Sequence, residues 1–209
     1  MASRAEVWRR RLLRGRESSG QPHDPRERLL QRVVGTPSAD FYSWLDAPLS
    51  PAAVLVGLIE REAGPAVLLT ERALHLPRHA GQISFPGGRL NEGESVQQAA
   101  LREADEEVGL SPTQVNIIDR LPDQLTGTGF AVAPILAVVA ADFEPRPDPT
   151  EVASVFELPL AHIGETSRRR VAHERWGTQF VSEEFDYQGH RIWGATATIL
   201  IDLMKELDV

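Results

Sequence analysis

Apolar residues in this chain fall into two patterns, short continuous runs and stripes at helical spacing. PAAVLVGLIE and PAVLLTE are runs of strand length, and Ala63, Gly64 and Pro65 between them predict a connecting turn. ISF before Pro86 predicts a further short strand, and QVNIIDRL and FAVAPILAVVA predict two later ones. EEFDYQGHRIWG predicts a hairpin turning near Gln188 and Gly189. Helical spacing governs GATATILIDLMKEL, where Ile199, Leu200, Leu203 and Leu207 share a side, and PLAHI fits one helical turn. DPRERLLQRVVG predicts a short helix, with Asp24 as cap, Pro25 in the first turn and Glu27 completing a capping box. GTPSADFYSWLDAPLS, which follows it, reads as linker. Strand pairs set among separated helices predict an α/β sandwich rather than an alternating parallel sheet.

A length of 209 residues suits one domain with terminal additions, so residues 1–50 read as a helical extension and linker and residues 51–209 as the main domain. The absence of cysteine excludes a disulfide framework, a thiolate nucleophile and a zinc–sulfur site, and is compatible with a reducing, cytoplasmic setting. A formal charge of −8 argues against broad nucleic-acid binding. It leaves an anionic substrate open, because a bound metal inverts the local sign. The first twenty residues are arginine-rich, with Ala5, Trp8 and Leu12 along one side of a predicted helix. Glu6 and Glu17 interrupt the basic character and favour an ordinary terminal helix, with organellar targeting as the alternative. No apolar run in the sequence is long enough to span a membrane.

The chemistry concentrates in GGRLNEGESVQQAALREADEEVGL, Gly87 to Leu110. Ser95 and Gln98 predict a capping box and Gly109 a helix stop. Val96, Ala100, Ala104 and Val108, with Ala99 beside them, form a narrow stripe of small residues suited to close packing on a sheet. Glu103, Glu106 and Glu107 stand at i, i+3 and i+4 on the other side. The ordinary reading of three such glutamates is a solvated acidic face. The sharper one is a divalent-metal site, since hard cations take oxygen ligands. Gly87 and Gly88 favour the sharper reading, because paired glycines let backbone approach a ligand closely.

Gly88, Glu94 and the run Arg102-Glu103-Ala104-Asp105-Glu106-Glu107-Val108-Gly109-Leu110 resemble the signature of the Nudix hydrolases, with Ala104 where the pattern prefers a bulkier apolar residue. The resemblance implies an α/β/α sandwich with a mixed sheet and Mg²⁺- or Mn²⁺-dependent cleavage of a diphosphate linked to another group. On this basis Gly88, Glu103, Glu106 and Glu107 hold metal, and Arg102 orients a glutamate, with Glu94 in support. The general base is one of the glutamates of this motif or Glu151, at the start of EVASVF, so the catalytic set is Arg102, Glu106, Glu107 and Glu151. Upstream, LLTERALHLPRHAGQISFPGG resembles the additional motif of the coenzyme A pyrophosphatase branch of the family. That implies coenzyme A or a derivative as substrate, with Arg72, Arg78, His79 and Phe85 as substrate-binding candidates. Pro77 stands where the branch pattern has arginine, and Arg78 lies next to it. A homodimer is compatible with the resemblance.

Other residues support less. His75 and His79 are spaced like a metal pair, but Pro77 between them disfavours a helix, so they read as loop or substrate-lining residues. Arg168, Arg169 and Arg170 suit a phosphate, yet a surface run is the ordinary reading. No G-x-S-x-G elbow is present, so a serine-hydrolase triad has no support. Two alternatives stand beside a coenzyme A diphosphatase: a Nudix enzyme for ADP-ribose or another nucleoside diphosphate derivative, and a Nudix-like sensor that binds without hydrolysis.

Overall fold

The computed structural model describes residues 24–165 and 168–207. The helix expected within the first twenty residues lies outside them. The strands pair into two sheets. The larger is built on β2 (Ser50–Arg61) and β3 (Gly64–Arg72), an antiparallel pair joined at Arg61 and Gly64. The turn is therefore shorter than expected: Gly64 and Pro65 already belong to β3, leaving Glu62 and Ala63 to make the connection. Beyond β3 lie its antiparallel partners β9 (Val152–Pro159) and β4 (Ile83–Ser84), the latter being the short strand expected before Pro86. On the other side of β2 runs β8 (Phe130–Val139), parallel to it from Ser50 with Phe130 to Ile59 with Val139. This parallel pair makes an otherwise antiparallel sheet mixed. Pro134 is tolerated inside β8 because it falls where the strand passes from β7 (Gln124–Leu125) to β6 (Val115–Arg120) as its antiparallel neighbour.

Alternation along the central strands sends side chains to two separate cores. Ala53, Leu55 and Ile59 of β2, Leu68 of β3 and Ile135 of β8 pack against Ala99, Ala100, Ala104 and Val108 of the helix Val96–Val108, α3 in chain order. Val56 and Leu58 of β2, Val67 and Leu69 of β3 and Leu136 of β8 face the other way. They meet Leu160 and Ile163 of the one-and-a-half-turn helix α4 (Leu160–Glu165), and Ile199, Leu200, Leu203 and Leu207 of the last helix, α5 (Gly194–Leu207). The sheet thus lies between helices, an α/β/α arrangement with α3, among the described residues, on one face and α4 and α5 on the other. The alanine stripe of α3 brings its backbone close to β2, and this proximity sets the level at which its acidic residues meet the sheet.

The smaller sheet contains β1 (Val33–Val34), β10 (Arg169–Arg175), β11 (Thr178–Tyr187) and β12 (His190–Ile192). The expected hairpin is β11–β12, closing at Tyr187 and His190 around Gln188 and Gly189. The first helix, α1 (Pro25–Leu30), is capped by Asp24, whose Oδ1 accepts from the Arg26 N–H at 2.8 Å. The stretch read as linker holds a second helix, α2 (Ala39–Leu45). Ser38 caps it by accepting from Phe41 N–H at 3.1 Å, and Phe41 and Leu45, one turn apart, are buried. Phe41, Leu45 and Leu125 form a third small core, to which Trp44 and Trp176 add a ring stack at 3.9 Å.

Candidate active site

Two pieces of chain meet at the acidic face. The first is β5 (Gly87–Arg89), which pairs with Ala52–Val54 at the start of β2. The strand approaches β2 so closely that a Cβ on Gly87 would lie 2.6 Å from Val54 Cα. The second is α3, fixed at its N-terminus by the predicted capping box: Ser95 Oγ accepts from Gln98 N–H at 3.2 Å, and Gln98 Oε1 accepts from Ser95 N–H at 2.9 Å. Its C-terminus ends at Gly109 in the left-handed conformation, φ 69°. The helix lies over β5 so that the Glu103 carboxylate rests on Gly88; a Cβ there would stand 2.5 Å from the carboxyl carbon. A side chain at this position would displace the carboxylate from where it now rests.

Arg102 organises the rim. Its Nε and Nη2 donate to the two oxygens of Glu94 at 2.8 and 3.0 Å, a bidentate grip, and Nη2 also donates to Arg89 O at 3.0 Å. Its Nη1 donates to Glu103 Oε1 and to Glu106 Oε2, both at 2.9 Å. Glu94 is held from a second side by the Asn91 N–H at 2.8 Å. The Arg102 bonds, and then the Asn91 bond, hold the Glu94 carboxyl below its ordinary range. Arg102 therefore stands on Glu94 and orients two of the three glutamates of α3.

Glu107 is the buried one, 2% exposed. Its Oε2 accepts from Gly87 N–H at 3.0 Å, and Arg72 Nη1 lies 3.6 Å from its Oε1. Burial pushes its pKa up to about 7 against the Gly87 bond and the Arg72 charge, and the charges of Glu103 and Glu151 push it further. Burial is also the largest cause raising Glu103, against the Arg102 bond and charge, with Glu106 and Glu151 adding repulsion. Glu151, itself exposed, is thus electrostatically coupled to both Glu103 and Glu107 although it comes from another part of the chain.

This donor set fits a hard divalent cation in its chemistry. It offers oxygen only, it is partly desolvated, and its negative charge exceeds what Arg72 and Arg102 offset. Among the described residues no three acidic or histidine side chains are gathered tightly enough to hold an ion as they stand. Instead Glu103 and Glu106 are turned to Arg102, and Glu107 to Gly87.

The substrate candidates divide. Arg72 points at Glu107 from the end of β3. Arg78 and His79 lie exposed in the loop that follows, His79 at φ 60° with its Nδ1 2.7 Å from Gln82 Oε1. Phe85 is placed otherwise than expected: it is 2% exposed and packs in the α5-side core with Ile83, so it serves packing rather than substrate contact. His75 Nε2 donates to Thr150 O at 3.1 Å, which separates its role from that of His79 and leaves no histidine pair. Of the arginine run, Arg169 pairs with Asp186 at 2.6 Å and Arg168 donates to Ile163 O at 3.3 Å. What the sequence reading missed is the turn ahead of Glu151. Asp148 Oδ1 accepts from Thr150 N–H and Oγ–H at 2.8 and 2.7 Å. The string Asp-Pro-Thr is a turn signal of the kind that could have revealed it.

A mixed sheet between helices, with a glycine strand seated under an acid-faced helix, is the Nudix arrangement, and a model of the NUDIX domain matches residues 49–179: the chain belongs to the Nudix family. It is 38% identical over 167 residues to NudL of Shigella boydii serotype 4 (strain Sb227), covering 76% of this chain and 83% of that one. The same figures hold for NudL of Escherichia coli O1:K1 / APEC, and both relatives are uncharacterized Nudix hydrolases. Among solved structures, a binary complex of a C. elegans Ap4A hydrolase is 24% identical, covering 53% of this chain and 80% of its own with a TM-score of 0.47. The chain is thus a Nudix hydrolase, a class that generally uses divalent metal ions. Among the described residues no helix is long and apolar enough to cross a membrane.

Proposed function

We propose that this chain hydrolyses the diphosphate of coenzyme A or a derivative to 3′,5′-ADP and the corresponding 4′-phosphopantetheine, using Mg²⁺ or Mn²⁺. The observation that carries the reading is the seating of the Glu103 carboxylate on Gly88 beside buried Glu107, within the field of Glu151. Gly88, Glu103, Glu106 and Glu107 would hold the ion. When bound, it supplies charge neutralisation and Lewis-acid polarisation of the diphosphate oxygens.

The chain's own residues do the rest. Glu94 fixes Arg102, and Arg102 fixes the directions of Glu103 and Glu106. Arg72 supplies positive charge beside Glu107, which favours the approach of an anionic substrate. Glu151 is the base that takes a proton from the attacking water: it is exposed, it acts on the acidic pair through its charge, and a carboxylate has acceptor oxygens to offer. The coenzyme A assignment is supported by the motif resemblance over residues 68–88, with Arg78 next to Pro77, the position at which the branch pattern has arginine. A cytoplasmic location is consistent with a chain free of cysteine.

A product-resolved assay of coenzyme A and ADP-ribose, each with Mg²⁺ and with Mn²⁺, tests the reading. Preference for coenzyme A is expected, and Glu106→Gln should lose most turnover while its folded spectrum survives. Undiminished metal-dependent turnover in that variant would defeat the site. Preference for ADP-ribose would select the second reading, which Pro77 motivates, and binding without products would select a sensor.

A further inference from the structure

We propose that Asp148 is the positioning residue of this site, holding Glu151 against α3 and tying the loop that carries Arg78 and His79 to the same turn. The proposal rests on the reading of Glu151 as the base.

The bonds run in three directions from one short segment. Toward α3, Asp148 N–H donates to Glu107 O at 3.0 Å and Arg146 N–H donates to Val108 O at 2.8 Å, so the segment is fastened to the last turn of the acidic helix. Within the turn, the Asp148 carboxylate takes both Thr150 donors, and Asp148 O accepts from Glu151 N–H at 3.1 Å and Val152 N–H at 2.8 Å. Toward the loop of residues 73–82, Glu151 O accepts from Ala73 N–H at 2.8 Å and Thr150 O accepts from His75 Nε2 at 3.1 Å. That loop closes at its neck on Arg72, whose carbonyl accepts from Gly81 N–H and whose N–H donates to Gln82 O, each at 3.0 Å.

The consequence is mechanical. Glu151 has no described side-chain hydrogen bond to fix it, so its position follows from its backbone, and that backbone belongs to the turn that the Asp148 carboxylate braces through Thr150. The Pro149 ring between them limits the chain further. Carbonyls of the same turn hold the loop that bears the substrate candidates. Base and substrate loop are therefore positioned together, relative to the helix that carries the acidic residues.

The test compares Asp148→Ala, Asp148→Asn, Glu151→Gln and the Asp148→Ala/Glu151→Gln double variant in the full chain, on whichever of coenzyme A and ADP-ribose the wild type cleaves. Asp148→Ala is expected to lower kcat about 10- to 100-fold, the usual range for loss of a supporting contact, with KM little changed. Asp148→Asn should recover most of this, because its amide oxygen still accepts both Thr150 donors. In the Glu151→Gln background Asp148→Ala should add no further loss, the signature of acting through Glu151. Amide hydrogen exchange on the metal-free protein supplies a readout independent of turnover: Asp148→Ala should speed exchange at Glu151, Val152 and Ala73 and leave α5 unaffected. Full turnover in Glu151→Gln removes the base reading. A loss in Glu151→Gln to which Asp148→Ala adds its full effect removes only the positioning role, as does unchanged exchange at Ala73.

Discussion

Glu107 and Asp202 are carboxylates of nearly equal burial, 2% and 4% exposed, each on a helix packed against the same sheet from opposite faces. Burial raises the pKa of both. Around Asp202, on α5, the neighbours then all act in one direction: Arg28, Lys205 and Arg32 each favour the ionised form. Arg28 pairs with its Oδ2, Gln124 Nε2 donates to the same oxygen at 2.8 Å, and Lys205 lies 3.4 Å from Oδ1. Around Glu107 the neighbours are divided, since Gly87 and Arg72 favour ionisation while Glu103 and Glu151 oppose it. A buried carboxylate that serves structure is surrounded until its charge is compensated. One left among like charges is compensated only when something else arrives, and a divalent cation is what its oxygen donors suit.

The comparison breaks most visibly if Asp202 is removed. Asp202→Ala removes the buried carboxylate that Arg28 and Arg32 share, while their mutual repulsion stays; burial already lowers the Arg32 pKa. Removing one partner of a buried pair costs about 3–5 kcal/mol. Urea unfolding should show that loss, while turnover per folded molecule stays at the wild-type value. A smaller loss, below about 1 kcal/mol, would mean that the α5 cluster is as uncompensated as the α3 one.

Glu107→Gln should do the reverse. With its folded pKa raised from 4.5 to about 7, Glu107 binds its proton more tightly in the native state than in the unfolded chain. Its contribution to stability is full below the unfolded value and is lost as pH rises through the folded one. In chelator, the wild type therefore weakens between roughly pH 4.5 and 7 by on the order of 3 kcal/mol relative to Glu107→Gln, and the difference stays constant above that. The glutamine can still accept the Gly87 bond. Turnover should fall as metal-free stability rises, a trade expected where a site stores uncompensated charge. Unfolding curves across pH would oppose this if the two proteins kept parallel stabilities from pH 5 to 8.

How much of this was legible depended on whether the cause was local. The α3 capping box, the Gly109 stop and the alanine stripe are consequences of residues within a few positions of one another, and they appear as the spacing predicts. The strand β5 was not legible, because Gly87 and Gly88 carry no strand pattern; pairing with Ala52–Val54 imposes their extension. β10 was hidden by its charged composition, tolerable in a strand bonded only to β11 on the described residues. The helix at Ala39–Leu45 did carry signals, the Ser38 cap and the Phe41–Leu45 spacing, which its proline-bearing surroundings masked. The identity of the acidic residues of α3 was readable, but not that Glu107 alone would be buried, nor that Asp148 would stitch Glu151 to the same helix; both arise from chain segments brought together by the sheet.

The smallest effect probes whether the strain at Glu107 is local. Ser95→Ala removes one half of the capping box at the opposite end of α3 and should cost about 1 kcal/mol. Twelve residues separate it from Glu107, roughly 18 Å along a helix, and the two share no described hydrogen-bond partner. If repulsion is confined to the crowded turn, the destabilisation by Ser95→Ala and the stabilisation by Glu107→Gln at pH 8 should add to within about 0.5 kcal/mol in the double variant. Stronger coupling would show the acidic crowding to be borne by the whole helix. The capping box would then be part of what keeps an unfilled acidic face folded, and the contrast with Asp202 would be one of two helices rather than two side chains. Chemical denaturation of the two single variants and the double in chelator distinguishes these, and repeating it with saturating Mg²⁺ should shrink any coupling, because the repulsion that causes it is then offset.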